Sequence, residues 1–161
     1  MNTEAKCMTW EQVAHWREQA RTEGHRVVMT NGCFDLLHAG HVSYLEQARG
    51  LGDRLLVALN GDVSVRELKG PNRPVNLEWD RARVISGLAC VDAVVIFPEK
   101  RATRILSWVK PDVYVKGGDY TKETMDRDER AEVEASGGEI HFLGFLPGRS
   151  TSQILERSKE G

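Results

Sequence analysis

The sequence has no apolar run long enough to cross a bilayer, and 29% of its residues are charged, which excludes a membrane-spanning protein. Neither sign of charge dominates. Lys and Arg number 22 against 24 Asp and Glu, a formal net charge of −2, which argues against a broad basic face for a nucleic-acid backbone. A small cationic pocket stays compatible with that balance, because net charge does not report local clusters. Cysteine is scarce: Cys7, Cys33 and Cys90 are odd in number and far apart, so they form no disulfide framework and a reducing cytoplasm is the expected location. Met1 to Trp10 lacks the basic-then-apolar pattern of a secretion signal. Low-complexity tracts and internal repeats are also missing. What is present is a chain of 161 residues, 40% of them apolar. Such a chain buries roughly 70% of the surface it exposes when unfolded. One domain over 1–161 is expected, with a core at about 26–158 behind an N-terminal helix at about 10–23.

Elements alternate along the chain. Thr9-Trp10-Glu11-Gln12 has the form of a capping box, with Val13, Trp16 and Ala20 following at helical spacing. Apolar runs at Arg26–Thr30, Leu55–Asn60, Ala93–Phe97, Val113–Lys116 and Glu139–Leu143 predict five strands. Between and after them, helices are predicted at His41–Arg49, from an Asn76 cap to about Ala89, at Arg101–Val109, at Met125–Ala135 and from a Ser150 or Thr151 cap to about Ser158. Five short strands alternating with helices imply a Rossmann-like α/β fold, a doubly wound five-stranded parallel sheet in three α/β/α layers. Ligands of such sheets sit at the carboxyl ends of the strands, near the switch in strand order.

The unusual residues fall after strands. Asn31-Gly32-Cys33-Phe34-Asp35 leads to His38-Ala39-Gly40-His41 at the first strand–helix corner, where backbone N–H groups and imidazoles offer donors to an anion. Two other readings stand beside that one: incidental turn histidines, or metal ligation by Cys33, His38 and His41 with Asp35. Asn60-Gly61-Asp62 is followed by Lys69 and Arg73 on a Pro- and Gly-rich segment, Lys69–Asn76, expected to be a mobile loop. At 100° per residue, Leu77, Arg81, Val84 and Leu88 share a helix face, so Arg81 points inward and needs either an anionic ligand or an internal carboxylate. Lys116-Gly117-Gly118-Asp119 permits close approach of a ligand to the backbone and offers a carboxylate for sugar hydroxyls, or is a tight turn. Ser150-Thr151-Ser152 begins the last helix, and its hydroxyls and N–H groups suit a phosphate or a simple N-cap. Taken together these residues describe a polyphosphate site with neither a Walker lysine loop nor a Gly-x-Gly-x-x-Gly fingerprint.

With these motifs in place, His38-Ala39-Gly40-His41 and Ser150-Thr151-Ser152 resemble the cytidylyltransferase-like nucleotidyltransferase superfamily. Leu68-Lys69-Gly70, Arg73-Pro74-Val75-Asn76 and Val115-Lys116-Gly117-Gly118-Asp119-Tyr120 resemble, within it, the adenylyltransferases of D-glycero-β-D-manno-heptose 1-phosphate. The resemblance covers about Thr9 to Arg157. It implies transfer of AMP from ATP to the sugar 1-phosphate, giving ADP-heptose for lipopolysaccharide core and pyrophosphate. In many bacteria that activity is half of a bifunctional protein whose other half is a sugar kinase, so a stand-alone form is expected here. The resemblance makes His38, His41, Lys69 and Arg81 catalytic. It gives Asn31, Gly32, Cys33, Phe34, Gly40, Gly117, Asp119 and Ser150–Ser152 to the nucleotide and Asp35, Asn60 and Asp62 to the acceptor, with Lys116 binding either substrate. Mg²⁺ with ATP as co-substrate and a homodimer are further expectations; no dedicated metal ligands, nucleic acid or membrane are expected. One departure concerns the last motif. Glycerol phosphate cytidylyltransferases carry Arg-Thr-Glu-Gly before the Ser-Thr pair, whereas Phe145-Leu146-Pro147-Gly148-Arg149 stands here. The competing readings are a cytidylyltransferase of a polyol or amino-alcohol phosphate, a nucleotide-binding module without turnover, and a metal-dependent hydrolase.

Overall fold

A computed structural model describes residues 1–161. Six parallel strands form one sheet: β1 (Cys7–Met8), β2 (Val27–Gly32), β3 (Arg54–Asn60), β4 (Ala93–Phe97), β5 (Val113–Gly117) and β6 (Glu139–Leu143), in the order β1-β4-β3-β2-β5-β6. The sequence pattern predicts five of them. The sixth, β1, is a two-residue edge strand pairing Cys7 with Val94 and Met8 with Val95, too short to carry any periodicity.

Seven α-helices accompany the sheet: α1 (Trp10–Thr22), α2 (Ala39–Arg49), α3 (Asp62–Lys69), α4 (Glu78–Ser86), α5 (Thr103–Val109), α6 (Arg127–Ala135) and α7 (Thr151–Lys159). The capping box starts α1 as its sequence requires: Gln12 N donates to Thr9 Oγ1 at 3.3 Å and Thr9 N to Gln12 Oε1 at 2.8 Å. Helix α3 is not predicted, because its eight residues, Asp-Val-Ser-Val-Arg-Glu-Leu-Lys, mix β-branched and charged types. It places Lys69 at a helix end rather than in a loop. Leu77, not Asn76, precedes α4, and the Asn76 side chain instead donates to the Asp35 carbonyl.

Residues alternate across each strand, so one sheet feeds two cores. Met29, Leu56, Ala58, Val95 and Tyr114 pack under α1, α5 and α6, while Val28, Leu55, Val57, Val94 and Val115 pack under α2 and α4. The strand order reverses between β2 and β5, where connections run to opposite edges of the sheet and leave a crevice beyond the strand ends. No helix is long and apolar enough to cross a membrane.

Candidate active site

A cavity of about 760 Å³ opens at that crevice. Asn31 and Gly32 end β2 and Lys116 and Gly117 end β5, and all four line it. So do Cys33, Phe34, Asp35, His38, His41, Asn60, Lys69, Ser150, Thr151 and Ser152. Gly40, Asp62, Arg81 and Asp119 do not.

His38 and His41 stack with ring centroids 3.9 Å apart and planes 24° from parallel. Phe34 lies 5.4 Å from His41 and closes the apolar side. Burial, reinforced by His38, lowers the His41 pKa to about 4; burial and the Arg149 charge lower that of His38. Both rings are therefore neutral at pH 7. Their Nδ1 atoms are buried with no hydrogen-bond partner, which leaves Nε2 of each ring to meet a ligand. Gly40 is what lets the stack form: a Cβ there would lie 2.9 Å from the His38 ring and 3.1 Å from Arg149 Cβ.

Beside the rings stands the N-terminus of α7, close enough that a Cβ on Gly40 would lie 3.1 Å from Arg149 Cβ. Ser150 Oγ accepts from Gln153 N at 3.1 Å as the N-cap, and Thr151 Oγ1 donates to the Leu36 carbonyl at 3.1 Å. Two of the three hydroxyls are thus committed to structure, leaving the Ser152 hydroxyl and the first-turn N–H groups toward the cavity. Gly117 is narrow for a similar steric reason, since a Cβ would meet the Phe145 ring at 2.7 Å and Tyr44 at 3.0 Å.

The segment after α3 is anchored, contrary to the mobile loop expected from its Pro and Gly content. Asp35 Oδ2 accepts from Arg73 Nε at 2.7 Å, and its carboxylate also accepts from the Val75 and Asn76 N–H groups at 2.9–3.0 Å. Burial pushes the Asp35 pKa up, but the Asn76, Val75 and Arg73 hydrogen bonds outweigh it and hold the carboxyl below its ordinary value. Asp35 is therefore saturated by this segment. Lys69, exposed at the end of α3, makes no ion pair.

Arg81 points inward, as its helix face predicts, but away from the cavity. Its side chain is fully buried. Nε donates to the Asn76 carbonyl at 2.9 Å, Nη1 to the Cys33 and Asn60 carbonyls at 2.6 and 2.8 Å, and Nη2 to Asp62 Oδ1 at 2.8 Å. The internal carboxylate, Asp62, is thus the partner that a buried guanidinium needs. Arg81 ties the ends of β2 and β3 to α4 behind the site. The neighbouring residues differ from the predicted face: Leu77 and Val84 are exposed, and Ala82, Ile85 and Ser86 accompany Arg81 inward.

Sequence reasoning misses the far wall. Glu129, on α6, is buried and accepts from Ala102 N at 2.8 Å and from Lys116 Nζ at 3.1 Å. Tyr114 donates to Asn31 Oδ1 at 2.6 Å and lies 3.3 Å from Glu129 Oε2. Lys100, Arg101, Thr124 and Asp126 also line this wall, with Arg101 paired to Asp126. An acidic residue at a buried position of α6 is the one local signal that could have marked it.

The cavity thus collects donors for several anionic groups, while its lining carboxylates Asp35, Asp126 and Glu129 are each paired to a cation. No three His, Cys, Asp or Glu side chains are grouped to hold a metal ion. A family model described as cytidylyltransferase-like matches residues 29–156. The chain is 57% identical over 146 residues to the bifunctional protein HldE of Shewanella sediminis, covering 91% of this chain and 30% of that protein. It is 53% identical over 150 residues to the bifunctional protein HldE of Alkalilimnicola ehrlichii, covering 93% and 31%. It therefore spans under a third of the length of these curated relatives. Among solved structures it resembles the lipopolysaccharide core biosynthesis protein of Thermoplasma volcanium GSS1, with TM-score 0.63 and 30% identity over 76% of this chain and 98% of that one. Pantoate-beta-alanine ligase of Francisella tularensis, at TM-score 0.56 and 12% identity over 95% of this chain and 76% of that one, shares the fold alone. The family match begins inside β2 and ends inside α7, spanning the histidine pair and most of the helix beside it: the chain belongs to the cytidylyltransferase-like family.

Proposed function

We propose that the chain transfers the adenylyl group of ATP to the phosphate of D-glycero-β-D-manno-heptose 1-phosphate, giving ADP-heptose and pyrophosphate. The observation that carries this reading is the neutral, stacked His38–His41 pair beside the α7 N-terminus, with Lys69 unpaired at the cavity. The heptose rests on the Lys69-Gly70, Arg73-Pro74-Val75-Asn76 and Lys116-Gly117-Gly118-Asp119-Tyr120 motifs, and on the likeness to proteins described as HldE and as a lipopolysaccharide core biosynthesis protein.

A phosphate oxygen of the acceptor is already an anion, so no protein nucleophile or general base is required. That oxygen forms a bond to the α-phosphorus as the bond to the β-bridging oxygen breaks, and pyrophosphate leaves with the electron pair. The protein aligns the partners and stabilises the charge that shifts toward the leaving group. His38 and His41 donate to the phosphates, Lys69 reaches the transferring group from the end of α3, and the α7 N–H groups hold the distal phosphates. Arg81 supports this reaction by holding the site's back wall. Mg²⁺ would enter with the nucleotide and would supply charge neutralisation at the phosphates; Asp35, Asp126 and Glu129 are already paired to cations and would offer it no free carboxylate.

The test is turnover of ATP or CTP with β-heptose 1-phosphate and Mg²⁺, followed by pyrophosphate release and mass detection of the nucleotide sugar. ADP-heptose is the expected product. A preference for CTP, or ATP turnover only with another acceptor, overturns the assignment.

A further inference from the structure

We infer that the acceptor phosphate binds on the α6 side of the cavity, gripped by Lys116, and that the buried Glu129 is the positioning residue that aims this lysine. This rests on the adenylyl-transfer reading above. The cavity straddles the end of the sheet. His41 lies in the first turn of α2 and packs with Phe34, a member of the core on the α2–α4 face, and His38, the residue before α2, stacks on His41. Lys116 lies two residues beyond Tyr114 on β5 and so projects from the opposite face, under α5 and α6. In-line displacement requires the attacking and leaving oxygens on opposite sides of the phosphorus. With the pyrophosphate held by the histidines and α7, the acceptor must enter from the Lys116 side.

The far wall is built for that task. Glu129 is 3% exposed and joins three elements: it caps the start of α5 through Ala102 N, and it lies beside Tyr114 and Lys116 of β5. An ammonium has three donors, so Lys116 keeps two after pairing with Glu129. Untethered, its flexible stem would carry the charge out toward water. Tyr114 has one proton, and the 2.6 Å contact directs it to Asn31 Oδ1, which turns the Asn31 amide N–H groups toward the cavity. A buried carboxylate and a buried phenol thus orient one donor at the end of β5 and one at the end of β2, together suited to a phosphate monoester carrying hydroxyls.

The experiment varies ATP and β-heptose 1-phosphate independently for the wild-type chain, Lys116→Gln, Lys116→Arg and Glu129→Gln. Calorimetric titration of each with a non-hydrolysable ATP analogue accompanies the kinetics. Lys116→Gln is expected to raise the acceptor KM by about 10-fold or more, the range of a lost charge-assisted hydrogen bond, with analogue affinity unchanged. Glu129→Gln keeps an acceptor for Ala102 N but removes the charge that tethers Lys116; it should raise the acceptor KM several-fold, also with analogue affinity unchanged. Lys116→Arg should recover most of the loss, which a merely structural role would not predict. If Glu129→Gln does not fold, the Lys116 pair decides the question. An unmoved acceptor KM, or weakened analogue binding in its place, overturns the inference. Absence of any sugar phosphate turnover by the wild-type chain overturns instead the reading on which it rests, and this inference with it.

Discussion

The two sides of the cavity handle polar groups in opposite ways. On the α2 side, His38 and His41 stack face to face with both Nδ1 atoms buried and unpartnered, and Lys69 nearby has no ion pair. On the α6 side, Glu129, Lys116, Tyr114 and Asn31 are linked in one hydrogen-bonded network, and Arg101 is paired with Asp126. An unpartnered buried polar atom costs stability, whereas a satisfied network rigidifies its surroundings. The α2 side therefore holds ligand-binding groups that no protein partner directs, and the α6 side holds donors whose direction the network fixes. Changes on the two sides should therefore differ in what they cost in stability.

The largest expected effect comes from breaking the buried ion pairs. Glu129→Ala leaves Lys116 and Ala102 N without their partner, and Arg81→Ala behind the site strands Asp62 and three carbonyls. Breaking a buried pair in this way costs about 3–5 kcal/mol, to be measured by urea unfolding. Losses below about 1 kcal/mol would place these pairs with surface ion pairs and erase the contrast.

His41→Ala is the converse. It removes a buried atom that has no partner, so the melting temperature should hold steady or rise. Turnover should fall about 100-fold or more, as when one donor to a developing charge is removed. A collapse in stability would show that the histidine stack is a structural element.

Acidification sharpens the same contrast. The folded His41 pKa, about 4, lies below its ordinary value of 6.5, so the unfolded chain binds more protons between those pH values. Its contribution to stability is present in full above pH 6.5 and is lost as pH falls toward 4. In His41→Ala the urea midpoint should fall less steeply over that window. Polyphosphate binding should be accompanied by proton uptake in the same window in the wild-type chain, since an anion favours the charged ring; calorimetry in buffers of different ionisation enthalpy reads this directly.

The smallest effect belongs to Gly40→Ala. Its Cβ would meet the edge of the His38 ring at 2.9 Å, so the ring must tilt away. Turnover should fall several-fold with little change in urea midpoint, and unchanged turnover would mean that the stack tolerates displacement.

Strand and helix order was legible because it rests on local pattern. Apolar runs flanked by turn residues marked β2 to β6, and Thr9 with Gln12 marked the start of α1. The cluster His38-Ala39-Gly40-His41 could be placed at a strand–helix corner for the same reason. Elements without a pattern stayed hidden: the two residues of β1 become a strand only because β4 lies beside them, and α3 follows from docking of Ser64 and Val65 rather than from propensity. Burial alone separates Arg81 from Lys69, since each is one cation in a mixed helix.

What the sequence determined by itself is the alternation of elements, and hence a parallel sheet with residues such as His38, His41 and Lys116 gathered at its carboxyl end. Only the tertiary structure decided which of those residues are spent on one another. Asp35 holds Arg73, Asp62 holds Arg81 and Glu129 holds Lys116 across sequence separations of 38, 19 and 13 residues. Such pairs leave no periodicity in the chain. They form because burying a charge without a partner is costly, and which partner lies within reach depends on how the helices pack across the sheet.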